Sequence, residues 1–270
     1  MPDPATFGGA AAGLPTATAV LKPKRARPFF GRHPWVLDSA IDRVEGQPAG
    51  GAVVDLATHD GHFVARGLWN PDSRIRLRLY AFDPAVRLDD ALFRARLAAA
   101  VGLRTHLGLD GRSAAARLVN SEGDDLSGLV VDRYGDYLAV QVTAAALVPR
   151  LEDVCAALDE LVRPRGILLR GAERGLAKLE GLHLPDRVVR GAAPDGPVFV
   201  TEHGLRFGVD LAEGQKTGWY LDQRDNRLAA ARYAHGRRVL DVFCYSGGFA
   251  VTCACTGGAR SVLAVDSSAR

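Results

Sequence analysis

The stretch Leu240-Asp-Val-Phe-Cys-Tyr-Ser-Gly-Gly-Phe-Ala-Val251 decides the fold class. It reads as a strand that breaks into a glycine turn and reopens as a helix. In an α/β protein this geometry seats an anionic or polar ligand at the C-terminal edge of a parallel sheet. The turn is not G-x-G-x-x-G, so the dinucleotide fingerprint fails, and no Gly-Lys-Ser/Thr follows as a P-loop requires. After a short helix and the turn Gly257-Gly258, Ser261-Val-Leu-Ala-Val265 reads as a second strand ending in Asp266, eighteen positions after Gly248.

An acid at that strand tip is placed to accept hydrogen bonds from both ribose hydroxyls of an adenosine. Adjacent Gly247 and Gly248 let the backbone come close to a ligand. With no pyrophosphate to seat, and with Asp241 before the turn, the arrangement suits the amino-acid part of S-adenosylmethionine. An ordinary strand–turn–helix with an acid nearby by chance is the plainer alternative.

At 270 residues the chain is long enough for two or three compact units. It is 47% hydrophobic and 24% charged, near globular averages, so sizeable cores can form. No apolar run approaches the roughly 18–20 residues of a membrane span. Residues 1–18, rich in Ala, Gly, Pro and Thr, lack a basic segment followed by an apolar one and read as a disordered leader. Cys155, Cys244, Cys253 and Cys255 form no C-x-x-C pair, so small thiols in a reducing cytoplasm are expected and no metal site is.

The net charge of +3 says little, but its distribution says more. Lys22, Lys24, Arg25, Arg27 and Arg32 crowd the first folded segment. Arg74, Arg76 and Arg78 fall at alternate positions of a later strand and so project from one face. Such a face either contacts phosphates or is simply solvated.

Three regions separate by period. From about Ala19 to residue 88, short β-like runs (52–56, 63–67, 75–80) divided by turn clusters predict a small barrel. Residues 89–196 predict a central α+β unit. It has a helix from Asp89 to about Leu107, strands Leu129–Tyr134 and Tyr137–Val142 around a Gly-Asp turn, a helix from about Val148 to Leu161 and a strand from Gly166. Gly191–Pro197 is the linker out of it. Residues 197–270 predict a hairpin, a helix from about Leu221 to Tyr233, and the opening motif.

Gly214-Gln-Lys-Thr-Gly-Trp-Tyr-Leu-Asp-Gln-Arg-Asp-Asn226, followed by VLDVFCYSGGFAV, resembles the bacterial ribosomal RNA large-subunit methyltransferases that modify carbon 5 of cytosine. GRHPWVLDSAIDRVEG and ARGLWNPDSRIRLRLYAFD are similar to the PUA domain of that family, and SEGDDLSGLVVDRYGDYLAVQ to its central domain. The likeness runs from about Leu21 to Arg270 in family order. It implies an α/β chain with an N-terminal PUA-like β-barrel, a central α+β domain and the beginning of a Rossmann-like class I methyltransferase domain.

The resemblance further implies S-adenosylmethionine as cofactor and large-subunit ribosomal RNA as partner, in the cytoplasm, away from membranes, with a homodimer left open. The family pattern falls on Asp241, Phe243, Tyr245, Gly247 and Gly248, and on Asp266 for the ribose. Gln223 and Arg224 lie where they reach the methionine carboxylate, although a surface salt bridge suits Arg224 equally. Lys216, Thr217 and Tyr220 sit in the loop over the site or hold that loop in place. Lys22, Lys24, Arg25, Arg27 and Arg32 become the RNA-binding set, and Trp35 is either a core anchor or a base-stacking platform.

Carbon 5 of cytosine is a poor nucleophile, so such enzymes first add a cysteine thiolate to carbon 6. In the family that cysteine lies on a later strand, preceded by an acidic-Pro-Pro segment. Neither falls within Met1–Arg270, and the nucleophile is expected beyond Arg270, with this chain a fragment that alone is inactive. Cys244 is expected to line the cofactor pocket instead. A non-catalytic RNA-binding protein built on the first two units is the competing reading.

Overall fold

The computed structural model describes residues 13–109, 111, 114–171, 180–212, 214 and 217–267. Its first part contains β1 (Ala17–Leu21), α1 (Arg27–Phe30), β2 (Trp35–Leu37), β3 (Ile41–Glu45), β4 (Val53–Ala57), β5 (Phe63–Trp69) and β6 (Ile75–Ala81). These strands form one sheet in the order β2-β6-β5-β4-β1-β3. The expected barrel is thus an open sheet: among the described residues its end strands β2 and β3 do not pair. β2 is only three residues long, and the helical turn Asp38–Ala40 redirects the chain between the two.

Order begins earlier than the composition of residues 1–18 suggests. β1 includes Ala17 and Thr18, Thr16 N donates to Val53 O at 2.9 Å, and Leu88 N donates to Gly13 O at 3.0 Å. Residues 1–12 of the expected leader lie outside the described residues.

The second part opens with α2 (Asp90–His106), capped by Asp89, whose carboxylate accepts from Leu92 N at 3.1 Å. Then come β7 (Ala115–Asn120), β8 (Leu129–Tyr134), β9 (Tyr137–Val142), α3 (Leu151–Val162), β10 (Gly166–Leu169) and β11 (Arg187–Gly191), in the sheet order β11-β10-β9-β8-β7. Period-2 alternation gives this sheet two apolar faces. Val131, Leu138, Val140 and Ile167 pack against Phe93 and Leu97 of α2 and Leu158 of α3, in a core that takes in Leu68 and Tyr80 of the first sheet.

The opposite face presents Tyr134, Tyr137, Ala139 and Leu168. A hairpin of β12 (Val198–Glu202) and β13 (Leu205–Val209) covers it with Val200, Phe207 and Val209, together with Trp219. After α4 (Arg224–Ala231), β14 (Arg238–Val242) and β15 (Ser261–Val265) pair in parallel around α5 (Gly248–Cys255). Leu240 lies opposite Leu263 and Val242 opposite Val265, and these four side chains are 61, 63, 49 and 48% exposed. Together they form a bare apolar face on this pair of strands.

The expected basic face of Arg74, Arg76 and Arg78 is broken up: Arg74 stays exposed ahead of β6, Arg76 is half-buried with its guanidinium 5.9 Å from the Trp69 ring centre, and Arg78 is buried. β6 is covered on both sides, and the Arg78 side chain is only 2% exposed. Its Nη2 donates to Glu180 Oε1 at 2.8 Å, and its Nη1 donates to Ser127 Oγ at 3.0 Å and Glu122 Oε1 at 3.2 Å. Asn70 Nδ2 and Ala145 N donate to the other Glu180 oxygen at 2.9 and 3.3 Å. Trp35 is an anchor of the same network: its Nε1 donates to Glu122 Oε1 at 2.8 Å while its ring lies 5.3 Å from the Arg78 guanidinium. Burial pushes the Glu122 carboxyl up, but hydrogen bonds from Ser121, Ser127 and Trp35 together outweigh it, and its pKa lies below the ordinary value.

A carboxylate held low contributes stability at pH values above its unfolded pKa, and that stability is lost as pH falls through the folded one. Arg78→Met is expected to cost about 3–5 kcal/mol in urea unfolding at pH 7, because Glu180 is left buried without its cation. Changing Arg78 and Glu180 together to Met should recover most of that loss. A single variant as stable as the parent would refute the clamp.

Candidate cofactor site

Three carboxylates shape the glycine turn and the wall beside it. β14 ends at Val242, and Phe243 and Cys244 both donate their amides to Val265 O, at 2.8 and 3.1 Å. Tyr245 N donates to Asp266 Oδ2 at 2.8 Å, so the acid at the tip of β15 holds the turn against the sheet edge. Asp241 Oδ2 accepts from Ala250 N at 3.0 Å and caps α5 from the preceding strand. Phe243, Tyr245 and Gly247 all have positive φ, at 66, 50 and 76°. Only the glycine takes this conformation without strain.

Beside the turn lies a cavity of about 460 Å³, lined by Trp219, Tyr220, Gln223, Arg227, Phe243, Cys244, Tyr245, Ser246, Gly248, Phe249, Asp266 and Ser267. That volume is ordinary for a cofactor-sized ligand. The structure brings together Gln223, Phe243, Tyr245, Gly248 and Asp266 from the set expected on sequence. Asp241 is withdrawn behind the turn as a helix cap, and Gly247 contributes its backbone angle rather than cavity wall. Tyr220 lines the cavity, with its ring 5.6 Å from that of Tyr245. Thr217 is buried away from it, and Lys216 lies outside the described residues.

Arg224 is displaced from its expected place. It lines a different cavity of about 610 Å³ on the far side of the 221–225 segment, with Arg117, Asn120 and His203. One helical turn onward, Arg227 faces the cofactor cavity instead, as the i, i+4 spacing from Gln223 dictates. Its guanidinium donates to both oxygens of buried Glu202, at 2.6 and 2.7 Å, and lies 4.7 Å from the Trp219 ring centre. Held in this way, Arg227 is a fixed part of the cavity wall. Gly248 completes the packing, since a Cβ there would fall 3.0 Å from Arg227 Cδ and 3.1 Å from Trp219 Cη2.

Cys244 is the thiol nearest the expected chemistry. The burial it has, and then the carboxylates of Asp241 and Asp266, push it above the ordinary thiol value. At neutral pH it stays protonated and makes a poor nucleophile. Cys253 is raised by burial and by Asp241, and Cys155 is pushed up to about 11 by burial. Among the described residues no group of three His, Cys, Asp or Glu side chains is arranged to hold a metal.

The five basic residues of the first segment, Lys22, Lys24, Arg25, Arg27 and Arg32, lie around α1, beside an exposed Phe30. Arg32 lies 5.7 Å from the Phe82 ring centre, and Lys22 Nζ donates to Ser39 O at 3.0 Å.

Comparison with known proteins agrees with this geometry. A family model described as a PUA-like domain matches residues 19–82, and one described as S-adenosylmethionine-dependent methyltransferase matches residues 190–270. The ribosomal RNA large subunit methyltransferase I of Tolumonas auensis is 39% identical over 94% of this chain and 64% of its own length. The protein of the same name from an Escherichia coli O139:H28 strain is 38% identical over 92% and 62%. The chain is similar to these methyltransferases along nearly its whole length. It spans a little under two thirds of the length of these relatives.

A solved Streptococcus mutans protein, described as a SAM-dependent methyltransferase, superposes with a TM-score of 0.76 at 20% identity, covering 94% of this chain and 64% of that one. Another methyltransferase structure, in complex with SAH, gives 0.77 at 21% identity, covering 94% and 63%. At this identity the likeness speaks for the fold. S-adenosylmethionine is the family's cofactor, and a cavity of this size between a glycine turn and a strand-tip acid fits it.

Gly248→Ala provides a test of the packed wall. Arg227 is pinned by Glu202 and cannot swing aside, so the added methyl should cost about 1–3 kcal/mol in stability or displace Trp219 into the cavity. Isothermal titration with S-adenosylhomocysteine should show weakened binding. Unchanged affinity together with unchanged stability would mean the wall yields freely.

Proposed function

We propose that this protein serves methyl transfer from S-adenosylmethionine to carbon 5 of a cytosine in large-subunit ribosomal RNA, in the cytoplasm. The observation that carries the reading is the cavity formed by the Cys244–Gly248 turn and Asp266, in a chain whose relatives are named as large-subunit ribosomal RNA methyltransferases. On this reading residues 19–88 form the PUA-like unit and residues 89–196 the central α+β unit. Residues 197–270 form the first part of a Rossmann-like class I methyltransferase domain.

When bound, S-adenosylmethionine supplies an electrophilic methyl group on a sulfonium. Asp266 would receive the ribose hydroxyls. Gln223, Ser246 and the amides of the turn would orient the amino-acid part, and Phe243 and Tyr245 would flank the adenosine. Lys22, Lys24, Arg25, Arg27 and Arg32 would carry RNA phosphates. Cys244 is not assigned as the nucleophile: it stands in the glycine turn as part of the cavity wall, and desolvation with the carboxylates of Asp241 and Asp266 raises its thiol above the ordinary value. The nucleophile is to be sought in the part of the relatives that this chain does not span. No described helix is long and apolar enough to cross a membrane.

A second reading, RNA binding without catalysis, draws on one observation: Cys244, which lines the cavity, is part of the glycine turn, with a thiol raised above its ordinary value by desolvation and by Asp241 and Asp266. Uptake of the cofactor separates the two. Asp266→Ala should weaken S-adenosylhomocysteine binding by at least about tenfold, roughly one charge-assisted hydrogen bond, while RNA affinity stays at the parent value. Parental cofactor affinity in that variant would remove Asp266 from the site, and a parent that takes up no cofactor would favour the non-catalytic reading.

The basic patch has its own signature. Changing Arg25 and Arg27 to Glu should weaken binding of a large-subunit RNA fragment across sequences. It should also flatten the dependence of log affinity on log salt by about 0.7–0.9 for each phosphate no longer neutralised. An unaltered salt slope would assign the RNA face elsewhere.

A further inference from the structure

The cofactor cavity has two walls. The glycine turn supplies one, and the segment around Trp219 supplies the other. That second wall rests on β8 of the central sheet, on the Val131-Asp-Arg-Tyr134 stretch, which lies outside the cavity itself.

Asp132 is fully buried and lies on the same face of β8 as Tyr134, turned toward the Thr217–Trp219 segment. Arg117 of the neighbouring strand donates to both its oxygens, at 2.8 and 3.0 Å. Thr217, also buried, donates its hydroxyl to Asp132 Oδ2 at 2.5 Å. A threonine hydroxyl has one proton. With that proton committed to the carboxylate, the Tyr134 hydroxyl 2.9 Å away becomes the donor to Thr217 Oγ1 and is left to accept from Trp219 N at 3.2 Å. Burial holds the phenol well above its ordinary pKa, so it keeps the proton this relay needs.

The relay ends at the cavity. Trp219 lies under the Arg227 guanidinium, packs at a tilt against Phe207, donates its indole N–H to Glu202 at 3.3 Å, and packs on Gly248. Between the two anchors, Gly218 has φ of +137°, and a Cβ there would fall 2.9 Å from both Leu211 and Val209. The loop therefore has one seating, with its polar groups answered from β8, 85 positions earlier in the chain.

We propose that Asp132 and Tyr134 are positioning residues for the cofactor site: through Thr217 they set the place of Trp219 and hence the second wall. The proposal rests on the cofactor reading of the cavity. Neither residue lines that cavity, and neither is assigned contact with a ligand.

The test compares Thr217→Val, Thr217→Ser, Asp132→Asn and the parent in the intact protein. Amide hydrogen exchange is followed in the peptide covering residues 217–220 and, as internal reference, in β9. Isothermal titration with S-adenosylhomocysteine runs in parallel. Loss of the hydroxyl in Thr217→Val, or of the charge in Asp132→Asn, should speed exchange at 217–220 by about tenfold relative to β9 and weaken S-adenosylhomocysteine by a similar factor. Thr217→Ser, which keeps the hydroxyl, should restore both. Exchange at 217–220 that stays at the parent rate, or that rises only in step with β9, overturns the proposal. So does failure of serine to rescue. A parent that binds no S-adenosylhomocysteine would sink the cofactor reading, and the exchange data would still decide whether β8 holds the loop.

Discussion

A buried guanidinium dictates how the first two layers meet. Arg78 and Glu180 lie together with almost no exposed surface, 102 positions apart in sequence. Hydrophobic burial is non-directional and would tolerate a range of relative placements of the two sheets. A desolvated ion pair does not, because each buried charge left unpaired costs several kcal/mol. Asn70, Ala145 and Ser127 complete the shell around the pair, so the first sheet has one orientation on the second.

The same device recurs at each later junction. Asp132 with Arg117 joins the central sheet to the Thr217 loop, and Glu202 with Arg227 joins the hairpin to α4. Each junction has an apolar core for stability and a buried or half-buried carboxylate–arginine pair for register. Replacing such a pair by well-packed apolar side chains is often neutral in stability. What these pairs add is a fixed geometry, and the cofactor cavity sits at the end of two of them.

Much of the fold could be read locally. The hairpin strands Leu129–Tyr134 and Tyr137–Val142 and the strand from Gly166 have the expected bounds, because alternation and the Gly135-Asp136 turn are properties of adjacent residues. What escaped the sequence are features decided by distant partners. Period-2 alternation spaced Arg74, Arg76 and Arg78 for one face, but it carries no information about the distant partners that bury Arg78 while Arg74 stays exposed. Asp241 showed the right spacing beside the turn, but its bond to Ala250 N as a cap of α5 is fixed by the path of that helix, which the spacing does not reveal. Arg227 was within reach: Gln223 and Arg227 share a helical face, and that spacing favoured it over Arg224.

Strain in the glycine turn follows from its neighbours. Phe243 and Tyr245 hold positive φ at a cost of order 1–3 kcal/mol each, and such strain persists only where the surroundings over-determine it. Here Val265 O takes two consecutive amides, Asp266 takes the one after them, and Asp241 locks the helix that follows. The turn is thereby open toward the cavity before any ligand arrives, which lowers the ordering cost of binding. Asp266 then acts twice. With Oδ2 fixed on the Tyr245 amide, its carboxylate plane has a set direction, and the turn it steadies lines the same cavity as Asp266 itself. Trp219 closes the opposite side through a loop seated on another sheet. The cavity is therefore defined only when the central sheet and the glycine turn are both in place, which makes the central unit part of the cavity's architecture and not a spacer between the first sheet and the glycine turn.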